Sequence, residues 1–288
     1  DFVAQMLDAK EVYSKYANNN LLSFAIKNEK IDLADQVISN SDNIDIRAAL
    51  SEVLARYPDS DAKGERIATL LETGGLKYED RKIIESYLSD TQDSVETKSK
   101  TSIAALNQGL SINLDLLLDR VLRIADPETV TATLSAFCKS KIGDEDVFKI
   151  LSFAYECGDT QIACNAMDCL KNSGQYVLVP AKLIISMLAN SEISASDKVT
   201  LLKKTFEFKV DHKSFEAVLT NYLCVNQDKA DNRKVIIQDL LERASNIPTA
   251  TVENYVLKCS TDGDNKPSVV SAMFDKGLNI SFFNDLLS

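Results

Sequence analysis

The sequence predicts an all-α fold: a helical-repeat solenoid of about eight helix–turn–helix units of ~33 residues. Three observations predict it. First, an apolar residue just after a turn and just before a helix-like run recurs at Ile44, Tyr78, Ile112, Ile142, Val177, Val210, Ile247 and Ile280, at intervals of 34, 34, 30, 35, 33, 37 and 33 residues. Four of these have a glycine three residues earlier: Gly75, Gly109, Gly174 and Gly277. Second, the apolar residues between these positions fall in short stripes at helical spacing, without the strict alternation of strands. Third, glycine (9) and proline (5) are scarce in a chain of 288 residues, which disfavours a turn-rich all-β fold.

The elements follow in order. Residues 1–20 are expected to form an N-terminal capping helix, and the units lie near 21–45, 46–79, 80–113, 114–143, 144–178, 179–211, 212–248 and 249–281, with a partial helix at 282–288. The first unit shows the pattern. Leu21, Leu22, Ala25 and Ile26 make one stripe, Asn28-Glu29-Lys30 a polar turn, and Ile31, Leu33, Ala34, Val37 and Ile38 a second stripe. Downstream pairs are read at 46–57 with 65–71, 81–88 with 101–106, 114–124 with 128–137, and 146–155 with 160–170. The last three are read at 182–188 with 196–205, 214–223 with 233–241, and 251–258 with 268–274. Pro127 suits a first helical turn, where its missing N–H costs nothing. Polar inserts are expected as loops at 89–100, 225–232 and 261–267. Helices this short are marginal alone in water, so stacking must supply the missing apolar surface, and the array should be elongated.

Composition narrows the function. The net charge of −11 argues against a general binder of nucleic acid or anionic membrane, because neutralising phosphate takes a basic surface. The longest apolar stretch, Tyr176 to Leu188, is broken by Pro180 and Lys182 and falls well short of the ~20 residues of a membrane helix. The six cysteines, Cys138, Cys157, Cys164, Cys169, Cys224 and Cys259, form no CxxC pair and sit mostly among apolar residues. They read as buried free thiols, which points to the cytoplasm or another reducing compartment. The chain begins at Asp1 without a signal peptide, as a cut or mature form would; a secreted form would then act after delivery into a host cytoplasm.

Chemistry is sparsely marked. His212, the single histidine, stands beside Asp211 and reads as a surface residue at a unit boundary, with Asp211 capping the next helix. Neither GxGxxG nor GxxxxGK[ST] occurs, and no cofactor or metal is expected. Asp59-Ser60-Asp61-Ala62-Lys63-Gly64 touches the calcium-loop pattern but has Lys63 at the fifth position and Leu70 at the twelfth. Asp262 to Pro267 departs from it further, and both read as polar turns. Acids gather at the starts of units: Glu79, Asp80, Asp115, Asp144, Glu145, Asp146 and Asp211. Acids suit helix N-termini. A row of them along one edge would also attract a basic segment of a partner. Glu79, Asp80, Asp144, Glu145, Asp146 and Asp211 are therefore the candidate partner-binding residues, and no catalytic residue is assigned.

Leu22-Ser23-Phe24-Ala25-Ile26-Lys27-Asn28, running on to Leu33 and Val37-Ile38, resembles an ankyrin repeat. So do Thr69-Leu70-Leu71-Glu72-Thr73-Gly74-Gly75 and Phe274-Asp275-Lys276-Gly277-Leu278-Asn279-Ile280. The TPLH-type start of the first helix is absent, so the resemblance is to a divergent, ankyrin-like array. It implies a scaffold that binds another protein and is not an enzyme; an effector or inhibitor acting on a host protein belongs to the same class. The spacing alone also permits a TPR-like or HEAT-like array. The competing functions are a sensor or structural region of a larger protein and, more remotely, an all-helical enzyme.

Overall fold

The computed structural model describes residues 15–39, 44–73, 80–90, 92–140, 142–174, 176–210, 212–225, 230–243, 255 and 266–275. Among them the regular structure is helical, without strands; one parallel bridge joins Leu178 to Lys209. The chain divides into two compact units, Asp1–Ile142 and Gly143–Ser288.

In the first unit, α1 (Lys15–Lys27), α3 (Ile46–Arg56), α5 (Arg81–Asp90) and α7 (Leu114–Leu117, continued by a π-helical turn Leu118–Leu122) pack in series. Helices α2 (Ile31–Ser39), α4 (Asp61–Glu72), α6 (Val95–Asn107) and α8 (Pro127–Cys138) form a second series. Each odd helix also packs on the even helix that follows it. The second unit repeats the alternation. Helices α9 (Asp144–Glu156), α11 (Ala181–Ala189) and α13 (His212–Val225) make one series. Helices α10 (Thr160–Asn172), α12 (Ala195–Thr205), α14 (Ala230–Arg243) and α15 (Lys266–Asp275) make the other.

Local chemistry sets the ends of these helices. The Asp45 carboxylate accepts from the Arg47 and Ala48 amides at the start of α3, and Asp126 does the same for Glu128 and Thr129 ahead of Pro127 in α8. Gly109 (φ 78°) and Gly174 (φ 69°) end α6 and α10 in the left-handed conformation, and the Leu110 amide donates back to the Ala105 carbonyl at 3.0 Å. The recurring apolar residue after each turn is buried at Ile44, Ile112, Ile142 and Val177. Helix α3 shows the packing logic: Ala49, Leu50, Val53 and Leu54 share one face and are buried. Each such Leu or Val contributes ~1.5–3 kcal/mol on leaving water.

Successive odd helices of the first unit are clamped at their starts. Asn19 of α1 exchanges two hydrogen bonds with the Asp45 backbone, at 2.8 and 3.0 Å. Arg47 of α3 pairs with Asp80, just before α5, at 3.0 Å. Glu85 of α5 accepts from the Asn113 amide, just before α7, at 3.0 Å. Each clamp joins a unit to the next.

Four expectations need correction. The boundary at residue 20 falls inside α1, which runs unbroken from Lys15 to Lys27. The insert expected at 89–100 is largely helix: α6 starts at Val95, with the Ser94 hydroxyl accepting from the Thr97 amide. Its Thr97, Lys98 and Ser99, which read in sequence as loop, are buried, and so are Thr101 and Ser102 of the stretch expected to be helical. Hydrogen bonds make part of that burial tolerable: Ser102 donates to the Lys98 carbonyl one turn back, and Ser99 pairs with Thr133 of α8. Residues 225 and 230–232 of the second insert, and 266–267 of the third, are helical as well.

Candidate functional site

Three of the six acids expected along a binding edge, Asp80, Glu145 and Asp146, have partners within the chain. Asp80 is buried, its carboxylate against the Arg47 guanidinium, and it clamps α3 to α5. Asp146 accepts from the Gly143 amide at 3.3 Å, closing the first turn of α9. Asp144 and Glu145 are exposed in the first turn of α9, and Glu145 pairs with Lys149 one turn on at 2.8 Å. Asp80 lies in the first compact unit and Asp144, Glu145 and Asp146 in the second. Glu79 and Asp211 lie outside the described residues, and His212 opens α13.

The calcium-like loop has another task. Burial pushes the Asp59 carboxyl up, but the Ser94 amide, the Thr97 and Ser94 hydroxyls and the nearby Lys63 charge outweigh this and hold it below the usual carboxylate range. Asp59 thus fastens the turn before α4 to the start of α6, at 2.9 Å from Ser94 N and 2.8 Å from Thr97 Oγ1. Residues 262–265 of the other acidic loop lie outside the described residues. No group of three or more His, Cys, Asp or Glu among the described residues has a metal-binding arrangement.

Cys138, Cys157, Cys164 and Cys169 are free thiols. Cys138 and Cys169 are buried as expected, whereas Cys157 and Cys164 are half-buried. Burial is the main influence on both half-buried thiols and pushes them up, away from the reactive thiolate. Cys224 falls in α13, and Cys259 lies outside the described residues.

A groove of about 690 Å³ lies between α3 and α5. Leu54, Ala55, Ile83 and Tyr87 supply its apolar surface. Ser51, Ser86 and Gln92 supply neutral polar groups, and Lys82 is the one charged side chain among the described residues that line it. Its size falls within the ~300–1,000 Å³ of ordinary ligand sites. Behind it lies a buried charge. Lys63 of α4, only 2% exposed, pairs with Asp93 at 2.5 Å and stands over the Tyr87 ring at 5.5 Å. The Tyr87 hydroxyl donates to the same Asp93 at 2.7 Å, and burial first, then that carboxylate, drives its pKa far up. The groove wall is thereby fixed: Tyr87 presents its ring while its hydroxyl is held from behind.

Helices α4 and α6 approach closely on the other layer. A Cβ added at Gly64 would lie 2.9 Å from Lys100 Cδ and 3.0 Å from Lys100 Cβ. A second groove, of about 610 Å³ between α6 and α8, has two of its three lining acids engaged: Glu96 pairs with Lys100, and Asp126 caps α8.

Sequence reasoning missed the α3–α5 groove. Its one signal was charge: the first turns of α3 and α5 carry Arg47, Arg81 and Lys82 and no acid, against the preference of a helix N-terminus. No protein-family model, curated protein or solved structure matches this chain. No helix among the described residues is long and apolar enough to cross a membrane.

Proposed function

We propose that the chain is a protein–protein interaction scaffold, an ankyrin-like helical-repeat solenoid that binds a partner protein through its layer of first helices. The observation that carries this reading is the alternating packing within each unit, odd on odd and even on even, with a clamp at each odd-helix step of the first unit. Such packing turns a short amphipathic pair into a row, and rows of this kind present long surfaces to partners. The α3–α5 groove opens in that first-helix layer.

The test is a pull-down from cell extract with quantitative mass spectrometry, run at about 0.15 M and about 0.5 M salt, between which the Debye length falls from ~8 Å to roughly 4 Å. Wild-type chain is compared with Ala55→Trp, which fills the groove from an exposed position. Proteins retained by the wild type and lost with Ala55→Trp support the scaffold; an empty eluate under both conditions sinks it. The architecture has its own check. A solenoid of this length has a radius of gyration clearly above the ~19 Å of a compact globule, so a scattering value near ~19 Å removes the repeat on which the reading stands.

A further inference from the structure

We propose, resting on the scaffold function above, that the α3–α5 groove receives an acidic, apolar segment of a partner protein. Its carboxylate meets Lys82, and its aliphatic or aromatic side chain lies against Leu54, Ala55, Ile83 and Tyr87. Charge selects this occupant. The whole chain has 43 acids and 32 Lys and Arg, yet among the described residues no acid lines the groove and the one charged lining residue is a cation. Arg47 and Arg81 stand in the first turns of the same two helices, where cations run against the helix dipole. Arg47 keeps 62% of its side chain exposed although it pairs with Asp80. A basic segment would meet the like charge of Lys82 here, and like-charge apposition suppresses wrong partners.

Shape agrees with charge. Leu54 and Tyr87 are buried at the floor, while Ala55 and Ile83 are reachable at the sides. The Lys63–Asp93–Tyr87 network holds the Tyr87 ring in place, so an incoming side chain meets a formed surface. Gln92 offers hydrogen-bonding groups to the backbone of a bound segment, and the Ser51 hydroxyl, which donates to the Arg47 carbonyl, can still accept.

The experiment is selection of a random peptide library on the immobilised full chain, followed by affinity measurement of the enriched peptides by fluorescence anisotropy. Lys82→Glu and Ala55→Trp serve as groove variants, each checked by circular dichroism; both positions are exposed, so the fold tolerates them. The expected result is enrichment of peptides combining Asp or Glu with Leu, Ile or Phe, whose affinity falls at least tenfold in both variants. Enrichment of Lys- or Arg-rich peptides overturns the assignment. So do binders that ignore both substitutions, although these leave the scaffold function standing on another surface. No enrichment, together with an empty pull-down, removes both.

Discussion

At the scale of single residues, the buried pair of Lys63 and Asp93 carries the sharpest energetic consequence. Taking two charges out of water costs several kcal/mol each, which their attraction repays only while both remain. Lys63→Ala leaves the Asp93 carboxylate without its ammonium and is expected to cost about 3–5 kcal/mol in urea denaturation. Lys63→Met combined with Asp93→Asn should cost clearly less, because no buried charge is stranded; equal losses would mean that packing, not charge, governs the site. Asp59 gives the acid limb. Its folded pKa lies below the unfolded value of ~3.9, so its ionised form is favoured by the fold. That stabilisation is complete above about pH 4 and lost as pH falls through the lower folded value. Asp59→Asn should therefore make stability less steep below pH ~4 than in the wild type. An unchanged slope in denaturation midpoints measured across that range would show that Asp59 does not titrate with folding.

Among the elements, α4 and α6 show what the sequence disclosed and what it hid. The helix spans were legible because Leu, Ile and Val recur every three to four positions and because Asp126-Pro127 and the glycines at 109 and 174 mark ends by backbone chemistry. The start of α6 was not legible, since Thr97 and Ser99 are held by partners distant in sequence, Asp59 and Thr133. The candidate acids were legible as helix-start residues, but Asp80 was drawn into the interior by Arg47, 33 positions earlier, which no local pattern shows. The groove was hidden for the same reason: it depends on how α3 and α5 stand across a full repeat. Gly64 sits at the close contact of α4 with α6. Gly64→Ala gains up to ~1 kcal/mol of helix propensity but drives its Cβ into Lys100, and overpacking of this kind costs ~1–3 kcal/mol. Net destabilisation of about 1 kcal/mol is expected. Adding Lys100→Ala should recover it, since the clash is with that side chain. A double-mutant cycle with no coupling would place the strain in the backbone instead.

For the whole molecule, two electrostatic effects oppose one another, and magnitudes decide between them. The net charge of −11 repels itself, which destabilises the folded state and is relieved by salt. Ion pairs are weakened by salt, but exposed pairs such as Lys100–Glu96 and Arg123–Asp119 are worth only ~0–1 kcal/mol each. The interior pair of Lys63 with Asp93 is largely shielded from ions. Repulsion is long-ranged at low salt, where the Debye length is ~30 Å at 0.01 M, and is mostly screened at the ~8 Å of 0.15 M. Stability should therefore rise as salt is raised over this interval, with the melting temperature increasing by a few degrees. The thiols should play no part: with Cys138, Cys157, Cys164 and Cys169 free, a reductant should move the melting temperature by no more than about 2 °C, whereas losing a native disulfide costs ~2–5 kcal/mol. Calorimetric scans at several salt concentrations, with and without reductant, separate the two effects. A melting temperature that falls between 0.01 and 0.15 M would show that attractive pairs outweigh the net charge, and the clamps between successive helices would then be the fold's principal electrostatic support.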